Sequence, residues 1–421
     1  MSLRRLRARA GIAAIAATLV GLPATLTACG TVSRGTADGA VRCATRVPGV
    51  TGTSIKIGLI YPDSGIAEIA RTFGPARNGV EARIDQQNAR GGVNGRRIHL
   101  VWGDDQSEVD KFSRVAHDLV DNQQVFGLIA TSIVLEDSAD WLDREGIPVT
   151  GTATSARWGD YGNLFTGTNL FNAGGTSVYG DYVSRQGGTK ALVVVDPSVQ
   201  ASQNFAMQLV PSLRSRRVSV VGEITYTPQI TSTAYVAQRF KDLGADTLIG
   251  ATQPTAVIDV YAQARALGAK IKVALNSGGV TPGLLAQRGD DMAGMSFLST
   301  FAFDSSPATK AYLNAMNIYA PELPDPTDGL AVAGYGAADE MIQGLELAGA
   351  CPTRQAFIQN LRKVTDFTGG GLIPPVDLTK PRQPVLCAAF IRVDQAGRNI
   401  VVVPPPADLD RDGYWCGAPL Q

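Results

Sequence analysis

The sequence is poor in histidine and has no excess of charge of either sign. Its 421 residues include two histidines, His99 and His117, and no Gly-x-Ser-x-Gly nucleophile motif. Little is therefore available for acid–base or nucleophilic catalysis. The 38 basic side chains are balanced by 38 acidic ones, so the chain lacks the basic surface that nucleic acid binding requires.

Long apolar runs are also missing. The apolar stretch at residues 10–20 is too short to span a membrane, and it follows a basic head of the kind found in signal peptides, formed by Arg4, Arg5, Arg7 and Arg9. Small residues then precede Cys29 in Leu26-Thr27-Ala28-Cys29, which resembles the lipobox of bacterial lipoproteins. We expect residues 1–28 to be a signal peptide, Cys29 to carry lipid, and residues 29–52 to be a tether; ordinary cleavage with a spare cysteine is the alternative.

Cysteine is scarce, and its number is informative. Without Cys29 an even set of four remains, which predicts two disulfides in an exported protein: Cys43, Cys351, Cys387 and Cys416. Three pairings are possible. We favour Cys351–Cys387 together with Cys43–Cys416, which would tie the two ends of the chain. No two of the four have the short spacing of zinc ligands, so no metal site is expected.

What the sequence does contain is typical of a globular α/β protein of about two domains. Apolar residues make up 44% of the chain, and there are 46 glycines. Without the four leader arginines, 34 basic residues stand against 38 acidic ones, a net charge of −4. Strands and helices alternate along the chain, which favours parallel, doubly wound sheets. Strands are predicted at 55–61, 97–102, 125–130, 147–149, 191–196, 218–226, 247–251, 271–275 and 295–302, and an antiparallel pair at 385–393 and 399–403. Helices are predicted at 77–89, 109–122, 135–144, 203–214, 233–243, 256–267, 307–319, 327–348 and 352–364.

Small polar residues follow two neighbouring strands of this series. Thr131 and Ser132 follow strand 125–130, and Ala153 and Ser155 follow strand 147–149. Parallel strands end at the same edge of a sheet, so these residues are expected to meet beside the start of helix 135–144, where free N–H groups favour an anion. The alternative is that the hydroxyls are ordinary helix caps. Of the adjacent Asp104 and Asp105, whose side chains should point to opposite faces, one is expected to cap the following helix.

The order of four segments resembles the type I periplasmic solute-binding proteins, in particular the leucine/isoleucine/valine-binding receptors of ABC transporters. The segments are IKIGLIYPDSG, NARGGVNGRRIHLVWGDDQSE, GLIATSIVLEDSADWLDREGIPVTGTATS and VYAQARALGAK. The resemblance implies two Rossmann-like lobes around a ligand cleft, joined by three crossover strands near 165–170, 299–303 and 367–374. Lobe 1 would comprise 53–166 and 302–366, and lobe 2 would comprise 169–298 and 370–421.

The resemblance also implies ligand contacts. Ser132, and Ala153 with Ser155, match the positions that hold a ligand carboxylate in the family. The family's acidic partner for a ligand ammonium is missing, because Asn276-Ser277-Gly278 stands in its place. Asp63 is a substitute charge or a turn residue. The full set of expected ligand-binding residues is Asp63, Ser64, Thr131, Ser132, Ala153, Ser155, Gln200, Gln253 and Ser277.

The resulting hypothesis is a lipid-anchored, extracytoplasmic, monomeric binding protein. It would capture a small polar ligand, an amino acid or a related carboxylate or amide, and deliver it to an ABC permease, without a cofactor and without catalysis. Two alternatives remain: a ligand-sensing lipoprotein that serves a signalling partner, and a secreted α/β enzyme.

Overall fold

The fold is built on two β-sheets, each covered by helices on both faces. The computed structural model describes residues 43–167, 169, 172, 174–198, 200–227, 230–299, 301 and 306–420. The strands, in chain order, are β1 (Ser54–Tyr61), β2 (Arg97–Asp104), β3 (Leu128–Ala130), β4 (Val149–Gly151), β5 (Leu164–Phe165), β6 (Gly175–Thr176), β7 (Lys190–Val195), β8 (Ser219–Thr225), β9 (Thr247–Ala251), β10 (Val273–Asn276), β11 (Ser296–Ser299), β12 (Cys387–Val393), β13 (Ile400–Val402), β14 (Asp410–Arg411), β15 (Tyr414–Cys416) and β16 (Pro419–Leu420).

The helices complete the alternation that the sequence predicts. They are α1 (Ala67–Ala89), α2 (Val109–His117), α3 (Ala139–Arg144), α4 (Val178–Arg185), α5 (Gln200–Ser215), α6 (Thr233–Asp242), α7 (Pro254–Ala266), α8 (Pro282–Met292), α9 (Pro307–Tyr319), α10 (Gly329–Leu347) and α11 (Arg354–Leu361). Within the described ranges, no helix is both long enough and apolar enough to cross a membrane.

The first sheet is parallel throughout, in the order β2-β1-β3-β4-β5. One face packs on α1, α10 and α11 through residues such as Val80, Met341 and Phe357. The other face packs on α2 and the segment around α3 through residues such as Phe112 and Leu142. Strands β3 and β4 are fully buried on both faces, whereas the edge strand β2 exposes Arg97 and His99.

The second sheet has the order β14-β15-β12-β11-β10-β9-β7-β8, with β13 also paired to β12. Strands β7 to β11 are parallel, and β12 pairs antiparallel with β11. Strand β12 also pairs antiparallel with β13, as the sequence predicts for these two segments. Helices α6, α7 and α8 pack on one face of this sheet, and α4 and α5, together with Trp415 of β15, pack on the other. The chain passes between the two sheets or their helices after β5, after β11 and after α11. The predicted fold class is therefore confirmed.

The cysteine pairing that we favoured from the sequence is wrong. The disulfides join Cys43 to Cys351 and Cys387 to Cys416. Cys416 lies in β15, directly opposite Cys387 in β12, so the C-terminal segment is bound within the second sheet and cannot reach Cys43. Cys43 instead meets the turn after α10, where Arg96 donates to the Ala350 carbonyl and to Cys43 Sγ.

Candidate functional site

Four loops leave the first sheet at the carboxyl ends of its strands, namely those after β1, β2, β3 and β4. Residues Ala130 and Gly151 are opposite each other in β3 and β4, and Tyr61 is opposite Asp104 in β1 and β2. The loops that contain Asp63, Ser132 and Ser155 therefore leave the sheet at one edge, which is where ligands bind in open α/β sheets. We call this set of loops the first edge.

Ser132 lies inside the first edge rather than on its surface. It is fully buried, and its Oγ accepts a hydrogen bond from the Val134 N–H at 3.2 Å. Its backbone carbonyl accepts from Thr154 Oγ1 at 3.4 Å, and this contact ties the loop after β3 to the loop after β4.

Ser155 is half-buried and does cap a helix. Its Oγ accepts from the Arg157 N–H at 3.2 Å, at the start of a short 3-10 helix, Ala156–Asp160. Its carbonyl accepts from Asn169 Nδ2 at 3.2 Å. A hydroxyl that caps through its oxygen still has its hydrogen to donate. Neighbouring Ala153 is buried in the apolar core beneath the loop.

The predicted helix 135–144 is shorter than expected. It consists of a 3-10 turn, Leu135–Ser138, followed by α3 with six residues. The dipole of a helix grows with its aligned peptides, so this segment offers an anion less than the sequence suggested. Hydrogen bond donors at the first edge must therefore come from individual side chains and loop N–H groups.

Asp63 and Ser64 are exposed and form a turn that Asp104 holds. The Asp63 N–H donates to Asp104 Oδ1 at 2.9 Å, and Ser64 Oγ donates to Asp104 Oδ2 at 2.5 Å. The Tyr61 hydroxyl donates to the Asp63 carboxylate. Burial, with Asp63 next in effect, raises the pKa of Tyr61 to about 12, so the hydroxyl remains a donor at neutral pH. The prediction that an aspartate caps α2 is wrong, because Glu108 stands at the cap and makes no side-chain cap bond.

The second sheet has a corresponding edge, which we call the second edge. Val195 is opposite Ala251, and Gly250 is opposite Asn276, so β7, β9 and β10 end together. Gln253 is exposed at the start of α7, and Ser277 is half-buried directly after β10. Gln200 begins α5, but its side chain lies outside the described part of the structure.

The second edge also carries a carboxylate that the sequence reasoning missed. Asp196 follows β7, is 2% exposed, and accepts from the N–H and the hydroxyl of Ser198 at 2.9 and 2.6 Å. An acid directly after a strand was the available signal. The position that matches the family's acidic residue holds Ser277, and no carboxylate stands there.

Buried polar atoms that lack a partner mark both edges. Among the described residues, the side-chain atoms at the edges that are buried without a hydrogen bond are Asp105 Oδ2, Ser107 Oγ, Thr131 Oγ1, Thr152 Oγ1, Thr252 Oγ1 and Asn276 Oδ1. Others lie elsewhere in the chain, Glu340 among them. Leaving such atoms unpaired costs about 1–3 kcal/mol each, so their presence at both edges favours a polar ligand.

Two cavities in the described part of the structure lie away from both edges and contain none of the predicted ligand residues. A groove of about 920 Å³ runs beside the amino ends of β1 and β2, with Arg46, His99 and Trp102 in its walls. A cavity of about 310 Å³ lies beside the crossovers, between Trp158, Arg362 and Pro381. No group of three metal-ligating side chains is found among the residues that the structure describes.

Comparisons with known proteins agree with this architecture. A family model described as periplasmic binding protein matches residues 54–398. A search of curated sequences finds no match. The similar solved structures include a Rhodospirillum rubrum protein assigned to branched-chain amino acid ABC transporters, with a TM-score of 0.71 and 19% identity over 83% of this chain and 100% of that one.

Two further solved structures were determined with ligands. The branched-chain amino acid transporter substrate-binding protein LivJ of Streptococcus pneumoniae, in complex with isoleucine, has a TM-score of 0.63 and 21% identity over 83% of this chain and 99% of that one. A solute-binding protein of an ABC transporter from R. palustris, in complex with benzoate, has a TM-score of 0.63 and 19% identity over 86% and 97%. At these identities the likeness concerns the fold. The family match covers most of the chain and agrees with the two sheets and their crossovers, and the chain therefore belongs to the periplasmic binding protein family.

Proposed function

We propose that this protein is the extracytoplasmic solute receptor of an ABC importer, which closes two lobes on a small ligand and presents it to a permease. Lobe 1 comprises residues 53–166 and 302–366, and lobe 2 comprises 169–298 and 370–421. The observation that carries the proposal is the set of buried, unpartnered polar atoms at both edges, since a ligand between the lobes would supply their missing hydrogen bonds. Closure is a hinge motion at the crossovers.

The ligand, in this proposal, combines a polar acceptor group with an apolar body. Ser155 has a hydroxyl hydrogen to donate at the first edge, and Gln253 and Ser277 provide polar contacts from the second. Ile66 and Ile133 are exposed by 62% and 37% in the loops of the first edge, which suits an apolar body. The ligands named for two solved relatives, isoleucine and benzoate, share this combination.

An α-ammonium group is not required by this site. A buried ammonium without a carboxylate partner would be strongly disfavoured, and the position of Ser277 supplies none. A keto acid, a fatty acid or an aromatic acid therefore fits better than an α-amino acid. Should an amino acid bind, Asp63 or Asp196 is the carboxylate that would have to replace the missing partner.

Thermal-shift measurements and calorimetry test this proposal directly. The purified protein would be titrated with 4-methyl-2-oxopentanoate, octanoate, benzoate and L-leucine, and a ligand of the proposed class should raise the melting temperature by mass action. Ser155→Ala and Ser277→Ala should each weaken binding about 10- to 150-fold, the value of one hydrogen bond to a charged group. Ser219→Ala, at the exposed amino end of β8, is the matched control.

Lipid anchoring is a separate part of the proposal. The pattern Leu26-Thr27-Ala28-Cys29 supports cleavage before Cys29 and attachment of lipid to it. In cells, Cys29→Ser should abolish incorporation of labelled fatty acid and release the protein from the membrane fraction. Retention of the label in that variant would contradict the assignment.

A further inference from the structure

The cavity beside the crossovers has the properties of a second binding site. Its volume is about 310 Å³, at the lower end of the range typical of small-molecule sites. Its walls come from both sheets, with Leu164 in β5 of the first sheet and with Cys387 in β12 and Arg411 in β14 of the second. A molecule in this cavity would therefore contact both sheets without entering either edge.

Side chains that bond to the walls hold this cavity open. The Arg362 guanidinium donates to the Leu164 carbonyl at 2.5 Å. Asn172, which is 5% exposed, donates from Nδ2 to the carbonyls of Pro381 and Gln383, each at 2.9 Å. Four wall residues are prolines, whose φ is fixed: Pro374, Pro375, Pro381 and Pro384. Because the walls are already fixed, little conformational freedom would be lost when a ligand binds.

Trp158 brings a hydrogen-bond donor without an acceptor to this cavity. It forms part of the wall, is 1% exposed, and its Nε1 is buried with no partner among the described residues. An indole N–H can only donate, and buried polar groups in native proteins rarely lack a partner. Trp415, which is almost as deeply buried, donates from Nε1 to the Val403 carbonyl at 2.8 Å. The unpaired N–H of Trp158 therefore favours an occupant that carries an acceptor atom.

The charged side chains in the walls are mostly cationic. Arg362, Lys380 and Arg411 stand against one acid, Asp377, so three positive charges and one negative charge give +2. Lys380 pairs with Asp377 at 2.8 Å, whereas Arg411 is exposed and pairs with no acid in the part of the chain that the structure describes. Burial lowers the pKa of Arg362 to about 10, so its guanidinium stays charged at neutral pH. The charge around the cavity therefore favours an anion.

We propose that this cavity is a second ligand site, which binds an organic anion with an apolar body. An anionic oxygen accepts the Trp158 N–H, and the charge is stabilised by Arg362 and Arg411. The apolar body packs against Leu164, Leu386 and the prolines of the walls. The site is separate from the receptor site, and its existence does not depend on the proposed function.

Nuclear magnetic resonance of protein with ¹⁵N-labelled tryptophan tests the proposal. The chain has four tryptophans, and the indole signal that is lost in Trp158→Phe identifies Trp158. Titration with 2-naphthoate, which is ionised at neutral pH, should shift this signal to a saturable end point, because the N–H gains an acceptor. The signal of Trp141, in α3, should not move. Naphthalene-2-carboxamide, a neutral molecule of the same shape, should bind about 5-fold or more weakly.

Two variants separate the indole hydrogen bond from the charge, with calorimetry as the measurement. Trp158→Phe keeps an aromatic ring but removes the donor, and should weaken 2-naphthoate binding about 10- to 150-fold, the value of one hydrogen bond to a charged group. Arg411→Gln should weaken it about 2- to 5-fold, as expected for an exposed charge. Trp141→Phe and Arg239→Gln, the latter at an exposed residue of α6, are matched controls and should bind as the wild type does.

The outcomes distinguish this site from the receptor site. In Ser155→Ala and Ser277→Ala, which change the two edges, the shift of the Trp158 signal should keep its midpoint. A shift that either variant abolishes would belong to the receptor site and would overturn the inference. A Trp158 signal that no concentration of 2-naphthoate moves would show a cavity filled by water alone, and would also overturn it.

Both of these results leave the receptor function standing, because that function is tested with its own probes at the two edges. If Trp158→Phe fails to fold, backbone assignment of the labelled wild type identifies the Trp158 signal. The wild-type titration then decides the question, together with Arg411→Gln.

Discussion

Individual carboxylates hold the strand ends of this protein at both ends of its sheets. At the first edge, Asp104 fixes the loop after β1, and Asp105 accepts from the Ser107 N–H in the loop after β2. At the opposite end of the second sheet, Asp246 accepts from the N–H groups of Thr189 and Lys190, each at 2.8 Å, and pairs with Lys272 at 2.9 Å. Such bonds to a charged acceptor are worth about 1.5–3 kcal/mol.

Asp246→Asn should lower the free energy of unfolding by about 1.5–3 kcal/mol at neutral pH. Burial alone would raise the pKa of Asp246, but the hydrogen bonds from Thr189 and Lys190 outweigh it and hold the pKa well below its ordinary value. The carboxylate therefore stabilises the fold above the unfolded-state pKa of about 3.9, and this contribution is lost as the pH falls.

Urea unfolding at several pH values checks this prediction. The gap between wild type and Asp246→Asn should shrink as the pH is lowered below about 4, the ordinary pKa of an aspartate. Asp143→Asn provides a control for the loss of one negative charge. A gap that is the same at every pH would contradict the role assigned to the ionised carboxylate.

The sequence predicted which residue types stand at the strand ends better than it predicted the contacts of their side chains. Small polar residues after β3 and β4 were predicted to meet, and Thr154 does bond to Ser132. That Ser132 is buried and accepts from the Val134 N–H could not be read from the sequence, because both depend on how the loops pack. Whether these residues contact the ligand stays a prediction.

Secondary structure elements pack closest where glycine faces a helix backbone. Gly334 of α10 lies against α1, so a Cβ there would meet the Ala76 carbonyl oxygen at 2.1 Å. Gly336 lies two residues further along the same helix, and a Cβ added there would have nothing within 4 Å. The two positions provide a matched pair of substitutions.

Gly334→Ala should destabilise the protein by about 1–3 kcal/mol, because α1 and α10 must separate or shift. Gly336→Ala should be neutral or should stabilise by up to about 1 kcal/mol through helix propensity. Thermal unfolding of both variants measures the difference. Equal effects would show that α1 and α10 do not approach as closely as described.

The disulfides give a second prediction at this scale. Each joins elements around one sheet, since Cys43 reaches the end of α10 and Cys387 reaches β15. Peptide mapping without reduction should recover Cys43 with Cys351 and Cys387 with Cys416. Recovery of Cys351 with Cys387 would contradict the structure and favour the pairing first expected from the sequence.

Strongly alternating elements were predicted well, and irregular ones were not. Strand β9 and helix α9 begin and end where the sequence indicated. Helix α1 begins ten residues earlier than expected, because it continues through Pro75, a residue that usually ends a helix. Helices α4 and α8 were missed, since they follow a crossover and a glycine-rich loop where the apolar pattern is weak.

On the scale of the whole molecule, the two sheets are not tied to each other by either disulfide. The chain connects the two sheets after β5, β11 and α11, and a hinge motion would bend these three connections. We therefore expect lobe closure when a ligand binds. Small-angle scattering with and without a saturating carboxylate should show a smaller radius of gyration in the bound state, and an unchanged radius would contradict closure.

The two series of alternating strands and helices predicted the parallel sheets, and the resemblance to periplasmic binding proteins implied the crossovers between them. The ligand could not be predicted in this way, because its selection depends on hydrogen-bond directions at the two edges. The resemblance implies a carboxylate at the position of Ser277, and its absence leaves the ligand class unidentified.

The most direct test that this protein is a solute receptor is calorimetric titration of the purified protein with 4-methyl-2-oxopentanoate, octanoate, benzoate and L-leucine. We expect at least one of these carboxylates to bind with one-to-one stoichiometry and to remain chemically unchanged. Ser155→Ala and Ser277→Ala should both weaken that binding, while Ser219→Ala should not. Failure of every probe to bind, or conversion of a bound probe into a product, would contradict the account of this protein as a solute receptor.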